Sequence, residues 1–307
     1  MNNQAEIINA RSAGELIQVV ENALSGANLY YGHGTENPMD EAAALVFHVM
    51  SLDHNGTADL YAREATDAQR ERIALLVEQR IQTRNPLPYL LGEAWFAGLP
   101  FNVDERVLIP RSPIAELISE QFQPWVDPDS VRNILEIGTG SGCIAIACAL
   151  AFPEALVTAT DISAAALEVA AGNARRHGVE DRLRLIETDH VDGVSGRFDL
   201  IVSNPPYVPQ HEMQLLPREY QAEPCLGLVS GVDGLDSARR ILQDAPKLMA
   251  HQGIMVLEVG AQWELLDQAF PALAFTWLEF EYGGIGVALM HAADFGASFV
   301  DHSPANS

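Results

Sequence analysis

The chain has 307 residues, enough for two domains of ordinary size. Its composition, 48% hydrophobic, 20% charged and 7% aromatic, is typical of a folded globular protein and excludes a disordered or low-complexity chain. The formal net charge of −24 would repel phosphate backbones, so we expect no direct sequence-specific nucleic-acid binding and favour a basic protein partner. No apolar run approaches the roughly 18 residues of a membrane span, and no signal-peptide pattern is present, so we expect a cytoplasmic protein without membrane contact.

The cysteines do not form a recognisable ligand pattern. Cys143, Cys148 and Cys225 are odd in number and lack flanking histidines at metal-ligand spacing. We therefore expect neither a disulfide framework nor a metal site, and we interpret all three as small buried apolar residues.

Residues 1–84 are predicted to form a small helical domain, because apolar residues with a period near 3.6 follow helix start signals. Two of these signals have capping-box spacing, and the third places proline at the first helical position. The signals are Ser12 with Glu15, Asn37 with Pro38, and Thr66 with Gln69.

Residues 85–111 are predicted to form a linker that contains a hairpin. Trp95 and Phe96 are separated from Phe101 and Val103 by a short segment rich in glycine and proline, which is typical of a turn between two strands. After this linker, Ser112 and Pro113 have the pattern of a helix start.

Residues 112–307 show short apolar strands that alternate with helical segments. This alternation predicts a parallel sheet covered on both faces, since parallel strands need crossover connections. The last two strands are joined by only Tyr282-Gly283-Gly284, which predicts an antiparallel hairpin. The predicted strands are 134–137, 156–160, 183–186, 200–203, 254–259, 273–280 and 285–291.

A glycine-rich turn stands directly between the first of these strands and the helix that follows it. Gly138-Thr139-Gly140-Ser141-Gly142 lets the backbone approach a ligand closely, and Asp161 ends the next strand, where a carboxylate can accept both ribose hydroxyls of an adenosine. The spacing differs from the dinucleotide fingerprint, because the third glycine comes one residue early and position 143 is cysteine.

Three carboxylates favour a cationic cofactor at this edge of the sheet. Glu136 precedes the glycine turn, Asp161 follows the second strand and Asp189 follows the third. This set is a poor cradle for a pyrophosphate but suits the sulfonium of S-adenosyl-L-methionine. The alternative is that Glu136 and Asp189 are solvated loop residues.

The segment Asn204-Pro205-Pro206-Tyr207 follows the fourth strand. Proline cannot donate to a ladder, so the strand should end at Asn204 and leave free carbonyl acceptors beyond it. The Asn204 side-chain oxygen and the Pro205 carbonyl can accept the two N–H groups of one planar NH2 group, while Tyr207 can stack on its plane. The alternative is an ordinary Pro-Pro turn.

Taken together, these segments resemble class I S-adenosylmethionine-dependent methyltransferases, specifically the glutamine methyltransferases that modify translation proteins. The resemblance spans nearly the whole chain and includes Leu257-Glu258-Val259-Gly260 and Asp233-Gly234-Leu235. It implies a Rossmann-like seven-stranded sheet with an antiparallel terminal hairpin, preceded by a small helical substrate-recognition domain.

Residue by residue, the resemblance implies a cofactor site and a substrate clamp. The clamp falls on Asn204, Pro205, Pro206 and Tyr207, with Asn204 also beside the cofactor. Arg111 orders the site or meets the substrate, with pairing to an acidic neighbour an equal alternative, and we expect Glu223 to anchor a loop. The implied cofactor residues are Glu136, Gly138, Thr139, Gly140, Ser141, Gly142, Asp161, Asp189 and His190, where His190 replaces a common tryptophan and could equally be a surface residue.

Two local differences point to one branch of the family. After Pro110-Arg111 the chain continues Ser112-Pro113-Ile114, and after Glu223-Pro224 it continues Cys225-Leu226-Gly227. Both differ from the release-factor branch and resemble the branch that acts on ribosomal protein three of the large subunit.

Three other functions stay open at this point. A release-factor glutamine methyltransferase would keep the chemistry and change the substrate. An adenine or guanine amino methyltransferase on DNA or RNA also presents Asn-Pro-Pro-aromatic to a planar NH2 group, although the acidic charge disfavours it. A non-catalytic assembly factor would bind the cofactor without turnover.

Overall fold

The computed structural model describes residues 3–53 and 56–296. Their backbone contacts divide the chain into two compact units. The helical unit lies within residues 1–94 and 217–222, and the sheet unit lies within residues 95–216 and 223–307. The division therefore falls inside the segment that we predict as a linker.

The helical unit is built on an apolar core to which each of its long helices contributes one face. Leu16, Leu45, Ile73 and Leu76 are all at most 1% exposed within this core. The short helix at residues 87–91 adds Leu87 to the same core. The helices are α1 (Asn3–Asn9), α2 (Ala13–Ser25), α3 (Pro38–Met50), α4 (Asp67–Thr83) and α5 (Leu87–Leu91).

The helix starts have the caps that the sequence predicts. Ser12 Oγ accepts the Glu15 backbone N–H at 3.3 Å, and Asn37 caps α3 with Pro38 at its first position. At α4 both halves of the Thr66–Gln69 capping box are formed. The Glu15 carboxylate instead accepts the backbone N–H of Arg11 at 2.7 Å, so the first box is shifted by one residue.

Two short strands, β1 (Glu93–Phe96) and β2 (Leu99–Asn102), pair with each other. Their connection contains Ala97 and Gly98, both with positive φ, as a tight hairpin turn requires. The predicted hairpin is therefore present.

The sheet unit contains a seven-stranded sheet in the order β5-β4-β3-β6-β7-β9-β8. The strands β3 to β7 are parallel to one another, whereas β9 is antiparallel to both β7 and β8. This confirms the predicted fold class with its antiparallel terminal pair. The strands are β3 (Asn133–Ile137), β4 (Leu156–Asp161), β5 (Leu183–Glu187), β6 (Phe198–Ser203), β7 (Met249–Glu258), β8 (Thr276–Trp277) and β9 (Val287–His291).

One predicted strand is much shorter than expected. We predict a strand over residues 273–280, but the strand covers only Thr276 and Trp277, and Leu278 adds one backbone hydrogen bond to Val287 of β9. Gly283, Gly284 and Gly286 all have positive φ and form the turn between this segment and β9, but they lie beyond residue 280 and do not explain the short strand.

Helices cover both faces of the sheet, because successive strand residues point to opposite sides. Ile134 packs into the core on one face with α7, while Leu135 packs into the core on the other face with α9. The parallel strands are consequently apolar on both faces. The helices of this unit are α6 (Ile114–Ser119), α7 (Cys143–Ala151), α8 (Ala164–His177), α9 (Asp236–Asp244) and α10 (Trp263–Ala269).

The cysteine prediction needs one correction. Cys143 and Cys148 are buried in α7, but Cys225 is exposed because it begins a short 3-10 turn at the surface. Within residues 3–53 and 56–296, no helix is long and apolar enough to cross a membrane.

Candidate active site

A cavity of about 240 Å³ lies at the carboxyl ends of β3, β4, β5 and β6. This is the edge at which open α/β sheets bind their ligands. Gly142 and Tyr207 are not among the residues that line the cavity. The predicted site residues that line it are Arg111, Glu136, Gly138, Thr139, Gly140, Ser141, Asp161, Asp189, His190, Asn204, Pro205 and Pro206.

The glycine turn forms one wall of the cavity. Gly138 and Gly140 have φ values of +77° and +54°, and a Cβ atom at either position would meet no protein atom within 4 Å. A ligand can therefore approach the backbone of both residues. Gly142 has another role, because its φ is +80° and an added Cβ would lie 3.0 Å from Ala170 Cβ. It allows the turn to pack against α8.

Glu136 is buried beneath the turn and holds it in place. Its carboxylate accepts the Thr139 hydroxyl and, at 3.0 Å, the backbone N–H of Ala145 in α7. Burial raises the pKa of Glu136 to about 8, although both hydrogen bonds favour the ionised form. Glu136 is therefore not the solvated loop residue of the alternative interpretation.

Asp161 connects the end of β4 to the glycine turn. One carboxylate oxygen accepts the Gly140 N–H at 2.8 Å and the other accepts the Ser163 N–H at 2.8 Å. Burial raises the pKa of Asp161 above its ordinary value, and these backbone hydrogen bonds oppose the rise. Each oxygen keeps a lone pair that can accept a further hydroxyl.

Asp189 and His190 lie side by side on the loop after β5. His190 Nδ1 is 2.7 Å from Asp189 Oδ1, and the His190 backbone has a φ of +51°. The buried Thr160 hydroxyl donates to the His190 carbonyl at 2.7 Å, which fixes this loop against β4. Both side chains are therefore held at the cavity, and Asp189 is half exposed.

Asn204 and Pro205 follow the last residue of β6 and face the same cavity. Within residues 3–53 and 56–296, neither the Asn204 side chain nor the Pro205 carbonyl takes part in a hydrogen bond. Beyond Tyr207 the backbone is paired again, since the Val208 N–H donates to the Leu228 carbonyl at 2.8 Å. Two acceptors are thus presented between a strand end and an anchored loop.

Arg111 lines the cavity and pairs with Glu223, whose side chain is buried. Arg111 Nη1 lies 2.9 Å from the Glu223 carboxylate, which also accepts the Ile109 N–H at 3.0 Å. Glu223 therefore anchors the segment that carries Arg111, as the sequence predicts, and an acidic neighbour does pair with Arg111.

Several residues of the site were not found from the sequence. Ile162 and Leu226 line the cavity with large exposed fractions, 51% and 57%, and Leu108 also lines it. Such apolar side chains can pack on the flat face of a nucleobase or on a peptide. The sequence did contain a signal for Ile162. This residue directly follows Asp161, so it had to lie at the same strand end as that carboxylate.

Tyr207 does not line the cavity, and its hydroxyl is bound elsewhere in the sheet unit. Its hydroxyl donates to Glu258 Oε1 at 3.2 Å, and Glu258 Oε2 accepts the Ser112 hydroxyl at 2.5 Å. Glu258 is 4% exposed, and burial raises its pKa to about 7 against the effect of these two hydrogen bonds. The Tyr207 hydroxyl is thus bound to a buried carboxylate.

The sheet order, the glycine turn after β3 and the carboxylate at the end of β4 define a class I S-adenosylmethionine-dependent methyltransferase. A family model described as the methyltransferase small domain matches residues 116–218. The solved catalytic domain of hMettl16 in complex with MAT2A 3'UTR hairpin 6 has a TM-score of 0.50 and is 16% identical, covering 77% of this chain and 84% of that chain. This likeness concerns the fold alone.

Relatives from three bacteria match nearly the whole chain. The ribosomal protein uL3 glutamine methyltransferase of Francisella tularensis is 44% identical over 94% of this chain and 92% of its own. Those of Bordetella pertussis and Neisseria meningitidis serogroup B are 43% and 42% identical over 91% and 90% of this chain, covering 93% and 91% of their own lengths. The chain belongs to the family of the ribosomal protein uL3 glutamine methyltransferases.

Proposed function

We propose that this protein transfers a methyl group from S-adenosyl-L-methionine to the side-chain amide nitrogen of one glutamine in ribosomal protein uL3. One observation carries the proposal. The Asn204 side-chain oxygen and the Pro205 carbonyl are unpaired acceptors within the described residues, and they face the cavity that also contains the glycine turn and Asp161. A primary amide has the two N–H donors that such a pair of acceptors fits.

The residues around the cavity fit the cofactor. Gly138 and Gly140 leave room beside their backbone, and the two oxygens of Asp161 can accept the hydroxyls of a ribose. Glu136 adds a buried carboxyl group under the turn, and a bound cation would favour its ionised form. When bound, S-adenosyl-L-methionine supplies an electrophilic methyl group. Ile162 offers an apolar surface to the base.

Asn204 and Pro205 supply orientation rather than basicity. The lone pair of an amide nitrogen is delocalised, so the nitrogen is a weak nucleophile. When Asn204 and Pro205 accept both N–H groups, the substrate amide is held in one orientation. Such positioning can lower an activation barrier by about 7–11 kcal/mol. The nitrogen becomes acidic only as it acquires the methyl group, so its proton can leave to solvent and no strong base is needed beforehand.

The charge of the chain supports a basic protein as substrate. The net charge of −24 would attract a cationic ribosomal protein and repel bare phosphate backbones. We assign recognition of this substrate to the helical unit together with Arg111 and the segment 204–207, and we place the reaction in the cytoplasm. Asp189 and His190 would contact the cofactor from the loop after β5.

Transfer of a labelled methyl group from the cofactor to purified substrates tests this proposal. Purified uL3, a purified peptide chain release factor and bare ribosomal RNA would each be incubated with the protein, and the product would be mapped by mass spectrometry. We expect label on a single glutamine of uL3. Label on the release factor or on RNA would replace the proposed substrate, and cofactor binding without transfer to any of the three would indicate a non-catalytic role.

A further inference from the structure

Two sequence segments of the sheet unit have no place in the clamp or the cofactor site. Leu257-Glu258-Val259-Gly260 ends β7, and Asp233-Gly234-Leu235 precedes α9. Of their seven residues, none lines the cavity. Both segments nevertheless contact Tyr207, the last residue of the clamp.

The contacts fix Tyr207 at three separate points. Its hydroxyl donates to the buried carboxylate of Glu258 at 3.2 Å. A Cβ atom at Gly260 would lie 2.7 Å from Tyr207 Cε2, and a Cβ atom at Gly234 would lie 2.3 Å from the Tyr207 carbonyl oxygen. Only glycine at these two positions allows the ring and the backbone of Tyr207 to lie so close.

Fixing Tyr207 also restricts the two acceptors before it. Pro205 and Pro206 have φ locked near −65°, so the path from Asn204 to Tyr207 has few soft dihedral angles. Asn204 is held at the other end by β6, whose Ser203 hydroxyl donates to the Ile137 carbonyl at 2.7 Å. The direction of the Pro205 carbonyl therefore depends on where Tyr207 is anchored.

Glu258 also holds a second segment of the cavity wall. Its other oxygen accepts the Ser112 hydroxyl at 2.5 Å, and Ser112 Oγ in turn accepts the Ile114 N–H at 3.2 Å. Ser112 and its neighbour Arg111 both line the cavity. One buried carboxylate thus connects the clamp to the wall that carries Arg111.

We propose that Glu258 is a positioning residue for methyl transfer, which aims the Asn204–Pro205 acceptors by holding Tyr207 and Ser112, with Gly260 and Gly234 forming the socket for Tyr207. This inference rests on the proposed function, because it assigns the purpose of Tyr207 within that clamp. It predicts that damage to the socket reduces the rate of transfer and leaves cofactor affinity unchanged.

The test uses a double-mutant cycle on the full-length protein. Glu258→Leu removes both acceptors, Glu258→Gln keeps one of them, and Tyr207→Phe removes the hydroxyl alone. The kcat for uL3, the KM for uL3 and the cofactor dissociation constant would be measured for each variant and for Glu258→Leu with Tyr207→Phe. Glu264→Leu, at an exposed position in α10, is the matched control.

We expect Glu258→Leu to lower kcat by about 10- to 100-fold, because a misplacement on the order of 1 Å has an effect of this size. Glu258→Gln should recover part of the rate, cofactor affinity should stay within about twofold of wild type, and the double variant should be no slower than its slower parent. Glu264→Leu should retain the wild-type rate.

Two results would overturn the inference. One is a Glu258→Leu rate within about twofold of wild type, and the other is multiplication of the two losses in the double variant. If Glu258→Leu does not fold, the cycle with Glu258→Gln and the Gly260→Ala variant decide by the same criteria. Failure of the proposed function is distinguishable, because the wild-type protein would then not methylate uL3 at all.

Discussion

Glu136 is a buried ionisable residue whose charge state depends strongly on its surroundings. Burial raises its pKa from 4.5 to about 8, so without cofactor it holds a proton in the native state at neutral pH. In the unfolded chain it ionises near pH 4.5. Between these two values the native state binds one more proton than the unfolded state, so rising pH lowers the free energy of unfolding.

The variant Glu136→Gln should remove this dependence. The glutamine stays neutral and its oxygen can still accept from Thr139 and Ala145. From about pH 6 to about pH 8, the unfolding free energy of the cofactor-free wild type should fall relative to that of the variant, by up to about 1.4 kcal/mol for each pH unit. Urea denaturation at both pH values measures the difference, and parallel curves for the two proteins would show that Glu136 is already ionised.

Asp161 tests the placement of the cofactor. Asp161→Ala removes the acceptor of the Gly140 and Ser163 N–H groups as well as the proposed ribose acceptor. We expect the cofactor dissociation constant to rise by about 10-fold or more, since hydrogen bonds to a charged group contribute roughly 1.5–3 kcal/mol. Isothermal titration calorimetry would measure it, with the exposed Glu154→Ala as control. Unchanged cofactor affinity in Asp161→Ala would show that Asp161 does not bind the ribose.

At the scale of elements, residues 217–222 belong to the helical unit, although the residues on both sides of them in sequence belong to the sheet unit. This segment lies between the clamp and Glu223 in sequence. Glu219 within it is fully buried and lies 2.7 Å from Arg84 Nη2, and it accepts the Tyr30 N–H at 2.9 Å. Arg80 Nη1 is 3.5 Å away. The segment is therefore fixed to the helical unit by buried charge.

Removal of this charge should destabilise the helical unit. Glu219→Gln keeps the side-chain volume but leaves Arg84 without its ion pair. It also removes one of the two carboxylates near Arg80, which still pairs with Glu41 at 2.7 Å. We expect a loss of about 3 kcal/mol, the usual effect of breaking a buried pair. Hydrogen exchange in α4 would report it, with the exposed Glu71→Gln on the same helix as control. Equal protection in both variants would contradict this role for Glu219.

Some elements can be predicted from the sequence more completely than others. The helix caps at Ser12, Asn37 and Thr66 and the strands β3 to β7 follow from local patterns, because capping and burial on both faces are short-range requirements. The strand expected over residues 273–280 was too long, since a run of apolar residues does not show which of them pair with a neighbouring strand. The unit assignment of Glu219 depends on partners more than a hundred residues away.

For the whole molecule, the sequence predicts the residues that line the cavity better than the contacts that hold those residues in place. The residues of the glycine turn, Asp161 and Asn204 were predicted because each stands at a strand end, and parallel strands bring their carboxyl ends to one edge. The contacts of Tyr207 with Glu258, Gly260 and Gly234 could not be predicted, because they join segments that only tertiary packing brings together. Glycine at a close approach has no signature in a single sequence.

In the function that we propose, methyl transfer depends on the Asn204 side-chain oxygen and the Pro205 carbonyl, which have no hydrogen-bond partner among residues 3–53 and 56–296. The most direct measurement is single-turnover methyl transfer to uL3 by wild type and Asn204→Ala, with the cofactor dissociation constant determined in parallel. We expect a rate at least about 100-fold lower in the variant, with cofactor affinity little changed. Equal rates of transfer by the two proteins would contradict this expectation.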